Sequence, residues 1–385
     1  MDANLDVKAP LPLLGGLSPV TFMRRHWQKK PLLVRQAVPG VQPPLSRAAL
    51  FELAGSEDAE SRLVLRADGA WQVRPGPVPR RALPPVSRPG WTLLMQGLDL
   101  HVPAAHELLA QFRFVPAARL DDLMVSWASP GGGVGPHVDS YDVFLLQVQG
   151  RRRWQVGKVK DAALVEGAPL KLLRHFTPTQ EWLLEPGDML YLPPGWGHDG
   201  VAEGGDCMTC SIGFRAPAAG QLARELLMRL ADDGDDGDDD EGAAPATPLY
   251  RDPQQPATAT PGALPDGLLQ FARAALERQL ADPDALARVF GEMLTEPKPQ
   301  VWFEAGAPRA PGAVRLDARS RMLYDARHVF INGEALRAGG RDAGLMRKLA
   351  DARVLSGADC ARLTAPAAEL LDAWVAAGWV RQGAA

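Results

Sequence analysis

Residues 187–198 read GDMLYLPPGWGH, and this stretch decides the fold more than any other part of the sequence. The letters DMLYL are typical of a buried β-strand, and the Pro-Pro-Gly that follows predicts a turn of fixed geometry. Such a turn would let His198 enter a site from the adjoining strand. We therefore expect a β-rich fold in which His198 is a candidate metal ligand.

A second stretch supplies partners for His198. His137-Val138-Asp139 follows the glycine-rich loop PGGGVGP and opens the strand that ends FLLQVQG. Residues two apart in a strand face the same side, so we expect His137 and Asp139 to point inward together. Two histidines and one carboxylate suit Fe(II), because three ligands on one face leave positions open for a co-substrate and dioxygen.

Each of these residues also has a simpler interpretation. His137 could be a hydrogen-bonded histidine beside a glycine loop, and Asp139 a turn or cap residue. His198 could be a hydrogen-bonded loop residue. The joint occurrence of the three favours the metal site, because the spacing in GDMLYLPPGWGH matches the second motif of cupin-type barrels.

The basic stretch RRRWQVGK at 151–158 adds a candidate anion site. By the two-residue period of a strand, Arg152 shares a face with Trp154 and Val156, while Arg151 and Arg153 fall on the other face. A guanidinium inside a barrel is costly unless an anion pairs with it, and a dicarboxylate would supply that anion through a bidentate contact. The alternative is that all three arginines form a surface patch.

The rest of the region before residue 217 predicts mostly strands. Residues 19–36 predict a short helix and then a strand. From about residue 121 we expect the strands DLMVSWAS, YDVFLLQVQG, RRRWQVGK, EWLLEPGDMLYLPPGW and CMTCSIGFR. Because no helical crossovers separate them, a β-barrel or sandwich is favoured over an alternating βαβ sheet.

The remaining chain divides at an acidic stretch. Residues 232–241 (DDGDDGDDDE) hold eight acids, and the Pro- and Ala-rich residues that follow predict a disordered linker over 232–262. Helical spacing is evident on both sides of it. Beyond residue 297, helices around the hairpin-like VFINGEAL suggest a winged-helix module, and we favour a structural or protein-docking role for it.

Composition excludes several classes of protein. The chain of 385 residues is 46% hydrophobic and carries a net charge of −4. Without the eight acids of the linker, 42 basic residues face 38 acidic ones, so a strongly basic nucleic-acid footprint is absent. Cys207, Cys210 and Cys360 cannot form a disulfide framework, and the single CxxC makes zinc an unfavoured interpretation. We expect a cytoplasmic protein with no membrane segment.

The motifs PGGGVGPHVDSYDVF, QGRRRW and GDMLYLPPGWGH, with HWQKKPLLVRQA upstream, resemble the bacterial JmjC-type ribosomal oxygenases. These are arginine hydroxylases that act on the large-subunit ribosomal protein L-sixteen. The resemblance implies an α+β fold that contains a double-stranded β-helix (cupin/JmjC) barrel. It implies a catalytic domain at 1–216, a helical dimerisation segment at 217–296 that contains the linker, and a winged-helix-like C-terminal domain at 297–385.

By the same resemblance, His137, Asp139 and His198 bind Fe(II), and Arg152 and Ser126 contact the co-substrate 2-oxoglutarate, with O2 as second co-substrate. Ser126 could instead be a small strand residue with no ligand role. Tyr141 could line the pocket or only pack. A ribosomal-protein substrate and a homodimer are implied, and direct nucleic-acid binding is not expected.

Other functions stay open from the sequence. A JmjC histidyl hydroxylase or lysine demethylase would use the same iron chemistry, because the pocket walls choose the substrate. A non-catalytic cupin-like binding module would not need the triad together with Arg152. A metal-dependent cupin isomerase would not need an inward arginine.

Overall fold

The computed structural model describes residues 6–67, 69–233, 249–254, 256–257 and 262–383. Contacts divide the chain into two compact units. The first contains Met1–Ala216, Pro297–Ser320 and Gly344–Ala385, and the second contains Pro217–Glu296 and Arg321–Ala343. The continuous C-terminal domain and the other boundaries expected from the sequence stay predictions.

Strands dominate the first unit, and the helices are short except in the second half of the chain. The strands are β1 (Leu32–Val34), β2 (Ser61–Ala67), β3 (Ala70–Pro75), β4 (Trp91–Met95), β5 (Leu120–Ala128), β6 (His137–Val138), β7 (Val143–Lys158), β8 (Gln180–Leu184), β9 (Met189–Leu192), β10 (Trp196–Phe214), β11 (Val314–Leu316), β12 (Met322–Tyr324), β13 (His328–Ile331), β14 (Glu334–Arg337), β15 (Val354–Leu355) and β16 (Val380–Gln382). The helices are α1 (Pro19–Arg25), α2 (Arg47–Leu53), α3 (Pro103–Ala110), α4 (Ala219–Asp233), α5 (Asp266–Leu280), α6 (Pro283–Thr295), α7 (Gly340–Ala352), α8 (Gly357–Cys360) and α9 (Ala365–Ala376).

A ten-stranded antiparallel sheet forms the body of the first unit. Its order is β1-β9-β7-β10-β5-β4-β2-β3, with β6 paired to β10 and β8 paired to β7. The long strands β7 and β10 lie at the centre and pair along most of their length. This antiparallel core agrees with the β-barrel or sandwich that the strand pattern predicts and with the cupin/JmjC barrel that the resemblance implies. Every strand that carries a candidate site residue is therefore β10 or a strand paired directly with it.

The pairing of β10 with β7 is irregular near the middle of the strand. Its register against β7 shifts between Glu203 and Met208 and again between Met208 and Thr209. A β-bulge of this kind bends the strand and changes the direction of the side chains beyond it. The alternation of inward and outward residues in β10 therefore cannot be extended across residues 203–209.

The stretch HWQKKPLLVRQA joins the N-terminal region to the sheet. Strand β1 pairs with β9, where Leu33 lies opposite Leu190. The backbone N–H of Gln28 donates to the hydroxyl of Tyr191 at 2.8 Å, and this hydroxyl donates to the buried carboxylate of Asp142 at 2.6 Å. The predicted short helix and strand of residues 19–36 are confirmed as α1 and β1.

Several predicted strands differ in extent from the observed ones. YDVFLLQVQG and RRRWQVGK form one strand, β7, because its pairing with β10 continues past Gly150. CMTCSIGFR is the second half of the 19-residue strand β10. His137 does not open the long strand as expected, because β6 ends at Val138 and the chain turns before Val143. No element is predicted from the sequence for residues 37–120, where α2, α3 and β2–β4 lie.

The second unit combines helices with a small sheet. Helices α4, α5 and α6 confirm the helical pattern, and β12, β13 and β14 form a three-stranded sheet. The hairpin predicted at Asn332-Gly333 is confirmed, since Ile331 pairs with Glu334 and both turn residues have positive φ. Most of the predicted linker at 232–262 lies outside the described residues, which omit 234–248, 255 and 258–261.

Candidate active site

Three candidate ligands meet where β6 and β10 pair. His137 on β6 lies opposite His198 on β10, and Asp139 follows β6 directly. One ligand atom from each of the three lies within 4.8 Å of the other two. His198 Nε2 is 3.6 Å from Asp139 Oδ2, and the two imidazole rings have centroids 4.2 Å apart. The structure therefore brings together the triad that the sequence predicts.

Backbone carbonyls orient both imidazoles. His137 Nδ1 lies 2.9 Å from the carbonyl oxygen of Gly135, and His198 Nδ1 lies 3.1 Å from that of Trp196. Because a carbonyl oxygen only accepts, each Nδ1 carries the proton and each Nε2 keeps its lone pair. This is how metal-binding histidines are usually held, and the site has one free nitrogen from each ring.

Burial of the triad carboxylate is unfavourable in free energy unless a cation is bound beside it. His198 is 2% exposed, and burial followed by the nearby His137 holds its pKa well below the ordinary value. Burial raises the pKa of Asp139, while His137 and the hydroxyl of Tyr141 oppose the rise. Two imidazole Nε2 atoms beside a buried carboxylate are suited to a divalent metal, which would offset the desolvation of that carboxylate. The donor set fits Fe(II).

Arg152 lies in the barrel close to the triad. Its guanidinium is 5.7 Å from the ring centroid of Trp154, and that ring is 5.7 Å from the ring of His198. Arg152 is 4% exposed, and its Nη2 is buried with no hydrogen-bond partner among the described residues. An unpaired buried guanidinium is unfavourable. The distal carboxylate of 2-oxoglutarate would supply the missing acceptor, so this side chain fits the co-substrate.

The neighbours of Arg152 face outward, as the strand period predicts. Arg151 is exposed, and Arg153 donates to Glu181 and to Glu203 at 2.6 Å. Trp154 is buried with Arg152. The alternative that all three arginines form one surface patch is therefore wrong, because the pleat of β7 separates them.

Ser126 lies in the interior as part of a polar row. It is 4% exposed on β5 and pairs with Thr209 of β10, which pairs in turn with Gln147 of β7. Thr209 Oγ1 donates to Gln147 Oε1 at 2.8 Å. The inward position agrees with the sequence analysis, and the contact of Ser126 with 2-oxoglutarate stays a prediction.

Tyr141 contacts the triad for a reason that differs from the expected one. The sequence places it inward by strand parity, but the residue lies in the turn after β6 and its side chain is 40% exposed. Its hydroxyl hydrogen-bonds Asp139. Tyr141 is thus at the open side of the site and helps to hold the carboxylate.

Two features near the site were not found from the sequence. Gly200 packs against the Trp154 ring. A Cβ added at Gly200 would come within 2.5 Å of that ring, so the position accommodates only glycine. Cys207 Sγ lies 3.5 Å from Arg152 Nε. The close packing at Gly200 could have been suspected from the sequence, because a glycine stands two residues after the candidate ligand His198. The second depends on the bulge in β10, which no local pattern reveals.

No helix within the described ranges has both the length and the apolar character required to span a membrane.

Comparisons with known proteins agree with this architecture. A family model described as JmjC domain matches residues 107–222, and one described as ROXA-like winged helix matches residues 278–381. The winged-helix prediction for the C-terminal region is thereby confirmed. The chain is 36% identical over 325 residues to the ribosomal protein uL16 3-hydroxylase of Escherichia coli (strain K12), covering 83% of this chain and 80% of that protein.

Solved structures show the same similarity. The X-ray structure of E. coli ycfD superposes with a TM-score of 0.81 at 30% sequence identity and covers 94% of this chain and 96% of that one. The structure of YcfD, a ribosomal oxygenase from Escherichia coli, in complex with cobalt and 2-oxoglutarate has a TM-score of 0.79 at 29% identity. It covers 95% of this chain and 98% of that one.

Proposed function

The chain belongs to the JmjC-domain ribosomal oxygenases, and we propose that it hydroxylates the β-carbon of an arginine in the large-subunit ribosomal protein uL16. It is a 2-oxoglutarate-dependent oxygenase that uses Fe(II). The observation that carries the proposal is the pairing of two features in one barrel: a triad with free Nε2 atoms and a buried arginine with an unpaired Nη2.

We propose these roles for the residues of the site. His137 and His198 would hold Fe(II) through Nε2, and Asp139 through its carboxylate. Arg152 would bind the distal carboxylate of 2-oxoglutarate, and Ser126 would line the same pocket. When bound, iron and 2-oxoglutarate supply the chemistry that places one atom of O2 in the substrate C–H bond and the other in succinate, with release of carbon dioxide.

The protein contributes orientation and exclusion of water. The Gly135 and Trp196 carbonyls orient the two imidazoles so that each Nε2 faces the site. Trp154 packs with Val156, Leu184, Leu190 and Leu192 in an apolar cluster beside the site. A dry surrounding strengthens the pairing of Arg152 with a carboxylate. The exposed Tyr141 marks the side from which a protein substrate would enter.

The experiment that tests the proposal uses purified large-subunit ribosomal proteins with Fe(II), 2-oxoglutarate and air, followed by mass spectrometry. We expect one protein to gain the mass of one oxygen on a mapped arginine. Asp139→Ala should abolish this product, whereas Glu166→Ala, which changes an exposed acid in a loop, should leave it unchanged.

The other outcomes separate the alternatives. Oxygen on a histidine would indicate a histidyl hydroxylase, and loss of a methyl group from lysine would indicate a demethylase. Succinate without a modified ribosomal protein would preserve the oxygenase and overturn the substrate. Absence of both would favour a binding module.

We also propose that the protein forms a homodimer through α4 and α5. Helix α5 contains no buried residue, and it exposes several leucines. Exposed apolar side chains on the two helices are Leu227, Met228, Leu268, Leu269, Leu276 and Leu280. Surfaces of this kind mark protein–protein contacts. A cytoplasmic location and the lack of direct nucleic-acid binding stay predictions.

A further inference from the structure

The bulge in β10 places a thiol against the buried arginine of the site. Cys207 is fully buried, and its Sγ lies 3.5 Å from Arg152 Nε and 3.3 Å from Gln147 Nε2. Both of these nitrogens can only donate. The sulfur of Cys207 therefore accepts from both side chains, and its own S–H proton points elsewhere.

Gln147 is fixed independently of the cysteine. Its Oε1 accepts from Thr209 Oγ1 at 2.8 Å, and its Nε2 donates to the carbonyl oxygen of Gln149 at 2.8 Å. A carboxamide held at both ends cannot follow a moving neighbour. Its Nε2 therefore donates to the Cys207 sulfur from a fixed position, and the same sulfur accepts from Arg152 Nε.

The guanidinium of Arg152 is planar, so one fixed N–H bond orients the whole group. Nε–H is directed at sulfur, the plane lies near the Trp154 ring, and Nη2 is left without a partner in the described part of the chain. The two N–H groups of Nη2 are thus held ready for a ligand instead of turning toward the cysteine.

We propose that Cys207 is a positioning residue for 2-oxoglutarate binding, whose sulfur holds Arg152 so that Nη2 meets the distal carboxylate of the co-substrate. The inference rests on the proposed function. It assigns to Cys207 a role toward the co-substrate, in addition to filling space between Ala128 and Ala202.

Cys210 provides a matched control. It is as completely buried as Cys207 and lies three residues further along β10, but it packs in the main apolar core. Among the described residues, its sulfur has no hydrogen-bond partner, and burial raises the pKa of its thiol. A change at Cys210 tests the loss of a buried thiol without touching Arg152.

The experiment is calorimetric titration of the full chain, loaded with Mn²⁺, with 2-oxoglutarate under anaerobic conditions. We expect Cys207→Ala to weaken 2-oxoglutarate binding by about three- to tenfold, the range that one hydrogen bond contributes to affinity. Cys207→Ser, which keeps an acceptor, should bind within about twofold of the unchanged protein, as should Cys210→Ala. Cys207→Val, which fills the space without an acceptor, repeats the test should the alanine variant not fold.

A second titrant separates positioning from general damage. The acid 2-oxopentanoate has the keto-acid end of 2-oxoglutarate but no distal carboxylate. Its affinity should be the same for the unchanged protein and Cys207→Ala, because it makes no use of Arg152. In the Arg152→Ala background, Cys207→Ala should cause no further loss of 2-oxoglutarate affinity, as expected for two residues that act through one contact.

Three results would overturn the role of Cys207: unchanged 2-oxoglutarate affinity in Cys207→Ala or Cys207→Val, an equal loss in Cys207→Ser, or an equal loss toward 2-oxopentanoate. Failure of the unchanged protein to bind 2-oxoglutarate would instead contradict the proposed function. The two failures are therefore distinguishable in one set of titrations.

Discussion

At the scale of single residues, Arg152 places a guanidinium in the buried interior of the barrel. Its burial is unfavourable in free energy unless an anion pairs with it. Arg152 is 4% exposed, it makes no salt bridge among the described residues, and its buried Nη2 has no hydrogen-bond partner there. Its neighbour Arg151 is exposed on the opposite face of the same strand. The pair therefore allows the inner and outer faces of β7 to be compared by one substitution each.

We expect Arg152→Ala to weaken 2-oxoglutarate binding by about a hundredfold, ~3 kcal/mol, because a charge-assisted contact is lost. Arg151→Ala should change the affinity by less than about twofold, since its side chain faces solvent. The measurement is the dissociation constant of 2-oxoglutarate for each metal-loaded variant. Equal effects at the two positions would contradict an inward role for Arg152 alone.

Gly200 is the second residue whose size matters. An added Cβ would come within 2.5 Å of the Trp154 ring, which lies between His198 and Arg152. We expect Gly200→Ala to lower the free energy of unfolding by about 1–3 kcal/mol, as overpacking does, and to weaken 2-oxoglutarate binding. The measurements are urea unfolding and titration with 2-oxoglutarate.

Gly205→Ala is the control for this substitution. Gly205 lies on the same strand, and nothing would lie within 4 Å of its Cβ. Loss of stability or of affinity in Gly205→Ala as large as that in Gly200→Ala would show that the strand, and not the Trp154 contact, is responsible.

At the scale of elements, the local sequence pattern correctly predicted the site residues that lie on regular strands and turns. His198 follows a Pro-Gly turn in which Gly195 has φ of 78°, a conformation that glycine adopts without strain. Arg152 lies in an unbroken part of β7, so the two-residue period gave the correct face. Both residues were therefore predictable from the sequence alone.

The same reasoning fails where the strands are broken. Tyr141 lies in a turn, so strand parity does not apply to it, although it still contacts Asp139. Cys207 lies within the bulged part of β10, whose position depends on the pairing of β10 with β7. Pairing registers are set by contacts between distant parts of the chain, and a single sequence does not reveal them.

Asp99 links the turn after β4 to the start of β5 and should make stability depend on pH. Its Oδ1 accepts from the N–H of Leu123 at 2.8 Å. Burial raises its pKa to about 7, helped by Asp122 and opposed by the Leu123 N–H and Lys298. The folded protein thus keeps this proton at a pH where the unfolded chain has released it. The stabilisation is complete below the ordinary carboxyl pKa and is lost as pH rises through about 7.

Asp99→Asn keeps the acceptor oxygen and removes the titration. We expect the variant to gain stability relative to the unchanged protein as pH rises from about 5 to about 8, by the order of 1–3 kcal/mol. The measurement is the free energy of unfolding in urea at several pH values. The exposed Asp58→Asn is the control, and a difference that does not vary with pH would disprove the assignment.

Helix α5 carries the prediction for assembly. We expect Leu276→Glu to shift the monomer–dimer equilibrium toward monomer by more than about tenfold, because a charge would replace buried apolar surface. Arg278→Glu lies on the opposite side of the helix and should not alter the dimer. Sedimentation equilibrium measures both, and a monomeric unchanged protein would contradict the dimer itself.

At the scale of the whole molecule, the sequence predicted the order of the structural elements, and the domain boundaries stay predictions. The barrel motifs, the two helices after the acidic stretch and the hairpin at Asn332-Gly333 all have local signatures. By contrast, contacts place Arg321–Ala343 with the helical segment and Gly344–Ala385 with the barrel unit. Such grouping depends on which surfaces pack, and composition alone does not encode it.

The triad and Arg152 together form the site of an oxygenase that acts on a ribosomal protein. The most direct measurement is turnover of purified uL16 with isotopically labelled dioxygen, with the modified peptide and succinate analysed by mass spectrometry. We predict one labelled oxygen on the β-carbon of a single arginine and one in succinate, with neither product in Asp139→Ala. A hydroxyl group that carries unlabelled oxygen from water, or labelled succinate without modified uL16, would contradict the account.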